Sequence, residues 1–343
     1  MKKFLALLLS MISVFTVFAF SACDNGEAPV VEKGTVDLKY YNSAAELIPA
    51  LKTGAIFYGI LPEPAATNLE NMTKADGKVW YRLDIQELYD ADTKSYPQAV
   101  MLVKESLLNT YPQLVNSIEA KFSDNVAWVT ANPSDAVNAV NSVVAEGVTP
   151  SLKPAALTGK TVENCKISWQ SAADAKKAVS DYLNDIIAVN QTSAVAATDD
   201  LFYNGTAQGE FTAETVQVYC PDGAPALAIA KFISDGENFG TGKTFAYHVV
   251  ASDNIGATVQ KGTGDIVVIP VNAASKLYNK NAADKYKLVS VLTHGNLYIM
   301  CSEDISANDL KDKTVGVFGM GLVPDLTFKA VLDKLGFKVE IAD

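Results

Sequence analysis

The chain has 343 residues, 39 acidic against 28 basic side chains, a formal charge of −11, 49% hydrophobic residues and two histidines, His248 and His294. With one arginine, Arg82, it lacks the clustered cations that give nucleic-acid binders their affinity, so nucleic acid is excluded as a partner. Hydrophobic content at this length builds one or two globular cores, and two histidines leave no multi-histidine metal site; no metal and no cofactor is expected.

Lys2 and Lys3 precede an uncharged apolar run, 4–20, which ends Phe20-Ser21-Ala22-Cys23 ahead of Asp24-Asn25-Gly26. This is the pattern of a secretory signal. The small residues before Cys23 resemble a bacterial lipobox, with Phe20 where Leu is usual; 1–22 would be removed and Cys23 would carry lipid. An uncleaved membrane anchor is the alternative. Either way the body of the chain lies outside the cytoplasm. Cleavage takes away two lysines and leaves 321 residues with a formal charge of −13. Cys165, Cys220 and Cys301 form no CxxC pair, so neither a disulfide framework nor a metal knuckle is indicated. Cys220 and Cys301 end apolar runs, where cysteine serves as a small buried hydrophobe. A disulfide between them is the alternative in an exported protein.

Residues 23–35 are polar and contain Gly and Pro, as a tether does. Strand runs follow at 36–41, 57–61, 80–84 and 99–104, with a helix over 44–52 and a turn at Pro62-Glu63-Pro64. Leu114, Val115, Ile118, Phe122, Val126 and Val129 recur at three- and four-residue spacing and give one long helix an apolar face. Asn132-Pro133-Ser134-Asp135 stops that helix and starts another. After a polar linker, 191–213, strand runs return at 216–220, 244–250, 265–270, 287–293, 297–302, 314–318 and 338–342, several of them separated by helices. That alternation implies βαβ crossovers and an α/β fold with largely parallel sheet. The body opens and closes on strand runs, so Val36 and Ala342 are expected side by side in one sheet, as circular permutation requires.

Five loops follow strand ends, where open α/β sheets bind ligands: 220–225, 270–274, 319–325, 41–43 and 61–67. Four precede helix starts, whose free N–H groups favour an anion. Gly316, Gly319 and Gly321 are spaced GxxGxG, not GxGxxG, which speaks against a dinucleotide site. No catalytic residue is assigned. His248 lies within an apolar strand as a satisfied core residue, and His294 lies in a turn between two strands, with a cleft-lining position as its alternative. Glu63, between two prolines, could serve as a base or as a ligand contact.

Six segments together resemble the solute-binding lipoproteins of bacterial ABC importers, in the nitrate/sulfonate/taurine and thiamine-precursor group. They are VQVYCPDGAPALA at 216–228, GDIVVIPVNAA at 264–274, DLKDKTVGVFG at 309–319, SAAELIPALKTG at 43–54, LPEPAAT at 61–67 and YPQLV at 111–115. The family usually begins with the segment like 216–228; joining Asp343 to Val36 would restore its order. The chain is therefore identified as a circular permutant, and a misassembled gene would read the same. The resemblance implies a periplasmic-binding-protein-like type II fold, two mostly parallel α/β lobes on a hinge. The first lobe would be 99–303 and the second 36–98 with 304–343. It implies a cleft lined by Asp222, Gly223, Ala224, Asn272, Ala273, Gly319, Met320 and Gly321, with Asn42, Ser43, Glu63 and Pro64 from the second lobe. Backbone and amide groups would donate, Glu63 would accept, and no arginine clamp would take part, with Arg82 in a strand elsewhere. The implied partners are a small organic or inorganic solute, an ABC permease and the membrane through Cys23, with the protein a monomer on the extracytoplasmic face. An enzyme like thiamine-pyrimidine synthase and a signalling lipoprotein reusing the fold are the competing readings.

Overall fold

The computed structural model describes residues 33–281 and 283–342; the expected signal, Cys23 and most of the tether lie outside the described residues. Twelve strands occur: β1 (Thr35–Tyr41), β2 (Tyr58–Pro62), β3 (Tyr81–Asp84), β4 (Ala99–Lys104), β5 (Ile167–Ser171), β6 (Thr215–Pro221), β7 (Thr244–Val250), β8 (Ile266–Pro270), β9 (Tyr286–Thr293), β10 (Leu297–Cys301), β11 (Thr314–Phe318) and β12 (Lys338–Ile341). They form two six-stranded sheets, ordered β12-β1-β11-β2-β10-β3 and β5-β9-β4-β8-β6-β7. In the first sheet only β10 runs against the rest. In the second, β4 and β5 oppose the other four. The α/β class and the mostly parallel direction of the strands are as the sequence implies.

Local chemistry accounts for the elements. Ser43 caps the helix Ala44–Thr53 by accepting from the Glu46 N–H, and Gly54 ends it at φ 77°, a cap worth about 1 kcal/mol. The helix Leu114–Ala131 buries Leu114, Ile118, Phe122 and Val129 on one stripe. Asn125 shares that stripe and is satisfied there: its amide donates to the Leu227 and Ala228 carbonyls and accepts from the Lys231 N–H. All eight residues of β9 are buried, which suits a strand covered on both faces.

The expected adjacency of the first and last strands is present. β1 pairs in parallel with β12, Val36 opposite Val339, and the Ala342 N–H donates to the Leu38 carbonyl. Parallel pairing constrains any join: with about 3.3 Å per residue, Ala342 lies roughly 10 Å from Val36, too far for one residue to bridge while both strands stay in place. Restoring the family order by direct joining would displace β12.

The chain passes between the sheets twice, between β3 and β4 and between β9 and β10. The first passage lies within 85–98. The second corrects the boundary at 303/304, because β10 already belongs to the sheet of β2 and β3. The two crossovers bond to each other: the Gln98 N–H donates to the Thr293 carbonyl at 2.9 Å, and the Gln98 amide donates to Asn296 Oδ1 at 3.0 Å. The helix Ala172–Val189, assigned by sequence to the first lobe, packs on Val323–Lys334 of the second. There the Tyr182 and Thr327 hydroxyls lie 2.7 Å apart, Tyr96 stacks on Tyr182, and Lys334 pairs with Asp185. One apolar cluster consequently runs through both lobes. Among the described residues no helix is long and apolar enough to cross a membrane.

Candidate functional site

Glu63 follows β2 at the junction and is buried, where an unpaired carboxylate would be costly. Its partners surround it. Arg82 Nη1 lies 2.5 Å from Oε1, the Thr67 hydroxyl and the Asn164 amide donate to the same oxygen at 2.9 and 3.1 Å, and the Thr67 N–H donates to Oε2 at 3.1 Å. Arg82 reaches Glu70 at 2.7 Å and lies over the Tyr298 ring. Burial lowers the guanidinium pKa, but the hydrogen bonds and charges of Glu70 and Glu63 outweigh it and hold the pKa above its ordinary value. One expectation is corrected here: an arginine does stand at these motifs, and the oxygens of Glu63 are engaged by Arg82, Thr67 and Asn164.

Asn164 follows the helix start at Gly159 in the first lobe, so its bond to Glu63 ties the lobes together. The Thr161 and Thr67 hydroxyls, 3.4 Å apart, and the Asn71 amide on the Ala155 carbonyl do the same. Pro64 lies beside this contact, and its carbonyl accepts from the Asn68 N–H. Below it the Asn296 amide donates to the Glu63 carbonyl and the Glu63 N–H donates back to the Asn296 carbonyl, which fastens β2 to the second crossover.

The other expected residues form separate groups along the strand ends. Gly319 bonds through its N–H to the Tyr41 carbonyl, which brings Gly319, Met320 and Gly321 beside Asn42 and Ser43. Gly319 and Gly321 have φ of 67° and 75°, and the Gly321 N–H donates to buried Asp325, which also holds Tyr40 and Lys329. The Asn42 side chain is engaged with Glu46, while Met320 is 60% exposed. Asp222 accepts from the Gly223 and Ser151 N–H groups, and Ala224 opens a short helix. Asn272 donates to the Ser193 carbonyl, its Oδ1 is buried without a partner, and Ala273 follows it in the helix Val271–Leu277. The Val271 N–H donates to the Gln98 carbonyl, so this loop also leans on a crossover.

The open space lies elsewhere at the junction. A groove of about 910 Å³ runs between 93–95, which leads into the first crossover, and the wall made by the helix Leu114–Ala131, the helix Gly159–Asn164 and β5. None of the twelve expected ligand residues lines it, but His294 does. His294 Nε2 donates to the Ser168 carbonyl at 3.2 Å; burial lowers its pKa and that bond partly offsets the shift, so the ring is neutral at pH 7. Lys94, Lys160 and Lys166 sit on the rim, and Trp169 forms an aromatic wall with Phe122 behind it at 5.7 Å. β5 was not expected from sequence, although Ile167-Ser168-Trp169-Gln170 shows the two-residue alternation that signals a half-buried strand. Arg82 was discounted although a glutamate set between two prolines in a turn, once buried, needs a cation.

His248 is half-buried as a partnered strand residue: Nε2 lies 2.8 Å from Gln217 Oε1 and the ring stacks on Tyr219. Cys165, Cys220 and Cys301 are buried and free, with Cys220 in β6 and Cys301 ending β10 in different sheets, so the Cys220–Cys301 disulfide does not form. Among the described residues no group of three His, Cys, Asp or Glu is placed to share a metal ion.

No protein-family model matches the sequence and no curated protein matches it. Among solved structures the chain is similar to NikA from Brucella suis in complex with Fe(III)-EDTA, at 11% identity and a TM-score of 0.30, over 84% of this chain. It spans 59% of the length of that protein.

Proposed function

We propose that the chain is a solute receptor of a bacterial ABC importer, tethered through Cys23 on the extracytoplasmic face and binding a small solute between two lobes of type II binding-protein form. The observation that carries the reading is the double crossover: two α/β lobes joined by two passages that bond to each other, which is the construction a hinge needs. The solute site is assigned to the strand-end loops at Asp222–Gly223, Asn272–Ala273, Gly319–Gly321 and Asn42–Ser43, with backbone N–H groups and the free Asn272 Oδ1 as its polar contacts. Strands from both ends of the chain share one sheet, which supports a permuted order.

The test is thermal unfolding of the mature chain with taurine, alkanesulfonates, nitrate, bicarbonate and pyrimidine precursors. A solute at about 100 times its Kd adds about 2.7 kcal/mol to stability, and small-angle scattering of the same sample should show a more compact particle. Turnover of the solute, or a cooperative transition that none of the panel shifts, counts against a receptor for these solutes.

A further inference from the structure

We infer that the groove at the lobe junction is a second binding site, one that takes a planar aromatic anion, an aromatic carboxylate or sulfonate. Its volume, about 910 Å³, lies within the range of small-molecule sites. Charge sets the sign of the ligand: three lysines face one carboxylate, Glu163, on a chain that is acidic overall. Lys94 is paired with Glu87 and Lys160 with Glu163, both in solvent and so readily exchanged. Lys166 has no ion pair or side-chain hydrogen bond among the described residues, which leaves one cation to meet one anion. Lys94 and Lys166 also hold left-handed backbone, φ 48° and 50°, two of only four such non-glycine residues in the described chain. Backbone strain of this kind gathers at ligand clamps. Shape and polarity set the rest: Trp169 offers an indole wall, and His294, held neutral, adds a second ring without a second charge.

The groove touches both crossovers, since 93–95 runs directly into Tyr96 and His294 directly precedes Gly295. A ligand held there bridges the two hinge segments from the side.

Calorimetric titration of the mature chain with 2-naphthoate tests the site, with 2-naphthamide and cyclohexanecarboxylate as neutral and non-aromatic comparisons. Naphthoate should bind saturably and the comparisons more weakly. Lys166→Asn, which removes the charge and tolerates left-handed backbone, and Ser168→Glu, at an exposed position on the wall, should each weaken naphthoate about tenfold. Absence of saturable binding, equal affinity for the amide, or unchanged affinity in both variants overturns the proposal. Both variants should keep the unfolding shift given by the solute of the interlobe loops. Failure of the solute panel with naphthoate binding intact would sink the receptor reading and leave this site standing.

Discussion

Replacing Arg82 by Met removes the cation from Glu63 while keeping much of the apolar length of the side chain. The Glu63 side chain is fully buried and that of Arg82 is 20% exposed, so solvent screens the pair little. Stripping one member of such a pair costs about 3–5 kcal/mol, because the remaining charge stays desolvated. The lower end applies, since Thr67 and Asn164 continue to donate to the carboxylate. The second pair, to Glu70, adds little, because that carboxylate is 37% exposed. A loss of about 3 kcal/mol corresponds to a fall in Tm of roughly 4–5 °C for a chain of this size. Calorimetric unfolding measures it, and Glu63→Gln on the Arg82→Met background supplies the control: with no buried charge left, about 2 kcal/mol should return. A single variant within about 1 kcal/mol of the parent, or a double variant no more stable than the single, would refute the placement of a buried ion pair at the junction.

Both histidines should make stability fall in mild acid. Burial lowers His294 and His248 below the ordinary value of 6.5, so the unfolded chain binds protons first; their contribution is complete above that pH and is lost as pH falls through the depressed folded-state values. NMR titration of the two imidazoles beside unfolding measured between neutral and acid pH checks this, and a ring titrating above 6.5 contradicts it. The thiols should be silent in the native state: Cys165, Cys220 and Cys301 are buried, and burial pushes Cys301 up to about 12. An aromatic disulfide reagent should label none of these three in buffer and all three in denaturant; fast labelling of any one in buffer contradicts their burial.

What the sequence showed and what it hid follow from the range of the forces involved. Strands such as 99–104 and 314–318 were legible because a buried strand is an apolar run, and the long helix because its stripe repeats at helical spacing. The adjacency of β1 and β12 was legible from an alternating pattern cut at both ends. The destination of β10 was not. His294-Gly295-Asn296 is the length of a hairpin turn, and local chemistry predicts two paired strands, whereas β9 and β10 enter different sheets. Both flanks are buried throughout, so only tertiary packing decides. The place of Arg82 was hidden for a related reason: it is distant in sequence from Glu63, and the register of β3 on β10 beside β2 brings the two together.

The second crossover also leaves its backbone little freedom. Gly295 has φ +85°, and a Cβ there would lie 2.6 Å from both Gln86 Cγ and Tyr96 Cε1. Neither neighbour can yield cheaply. Gln86 is fully buried and its Oε1 accepts from the Leu297 N–H, and Tyr96 is stacked on Tyr182, which joins the lobes. Gly295→Ala therefore carries about 1–2 kcal/mol of left-handed strain and a further overpacking cost of about 1–3 kcal/mol. Gly54→Ala separates the two, because Gly54 has nearly the same φ, 77°, and nothing within 4 Å of a new methyl. Thermal unfolding should show Gly295→Ala losing about 2 kcal/mol more than Gly54→Ala, and scattering should show a larger particle for Gly295→Ala alone as the methyl prises Tyr96 from Tyr182. Equal losses in the two variants, with unchanged dimensions, would mean that the crossover has room to move and that the tyrosine stack does not hold the lobes.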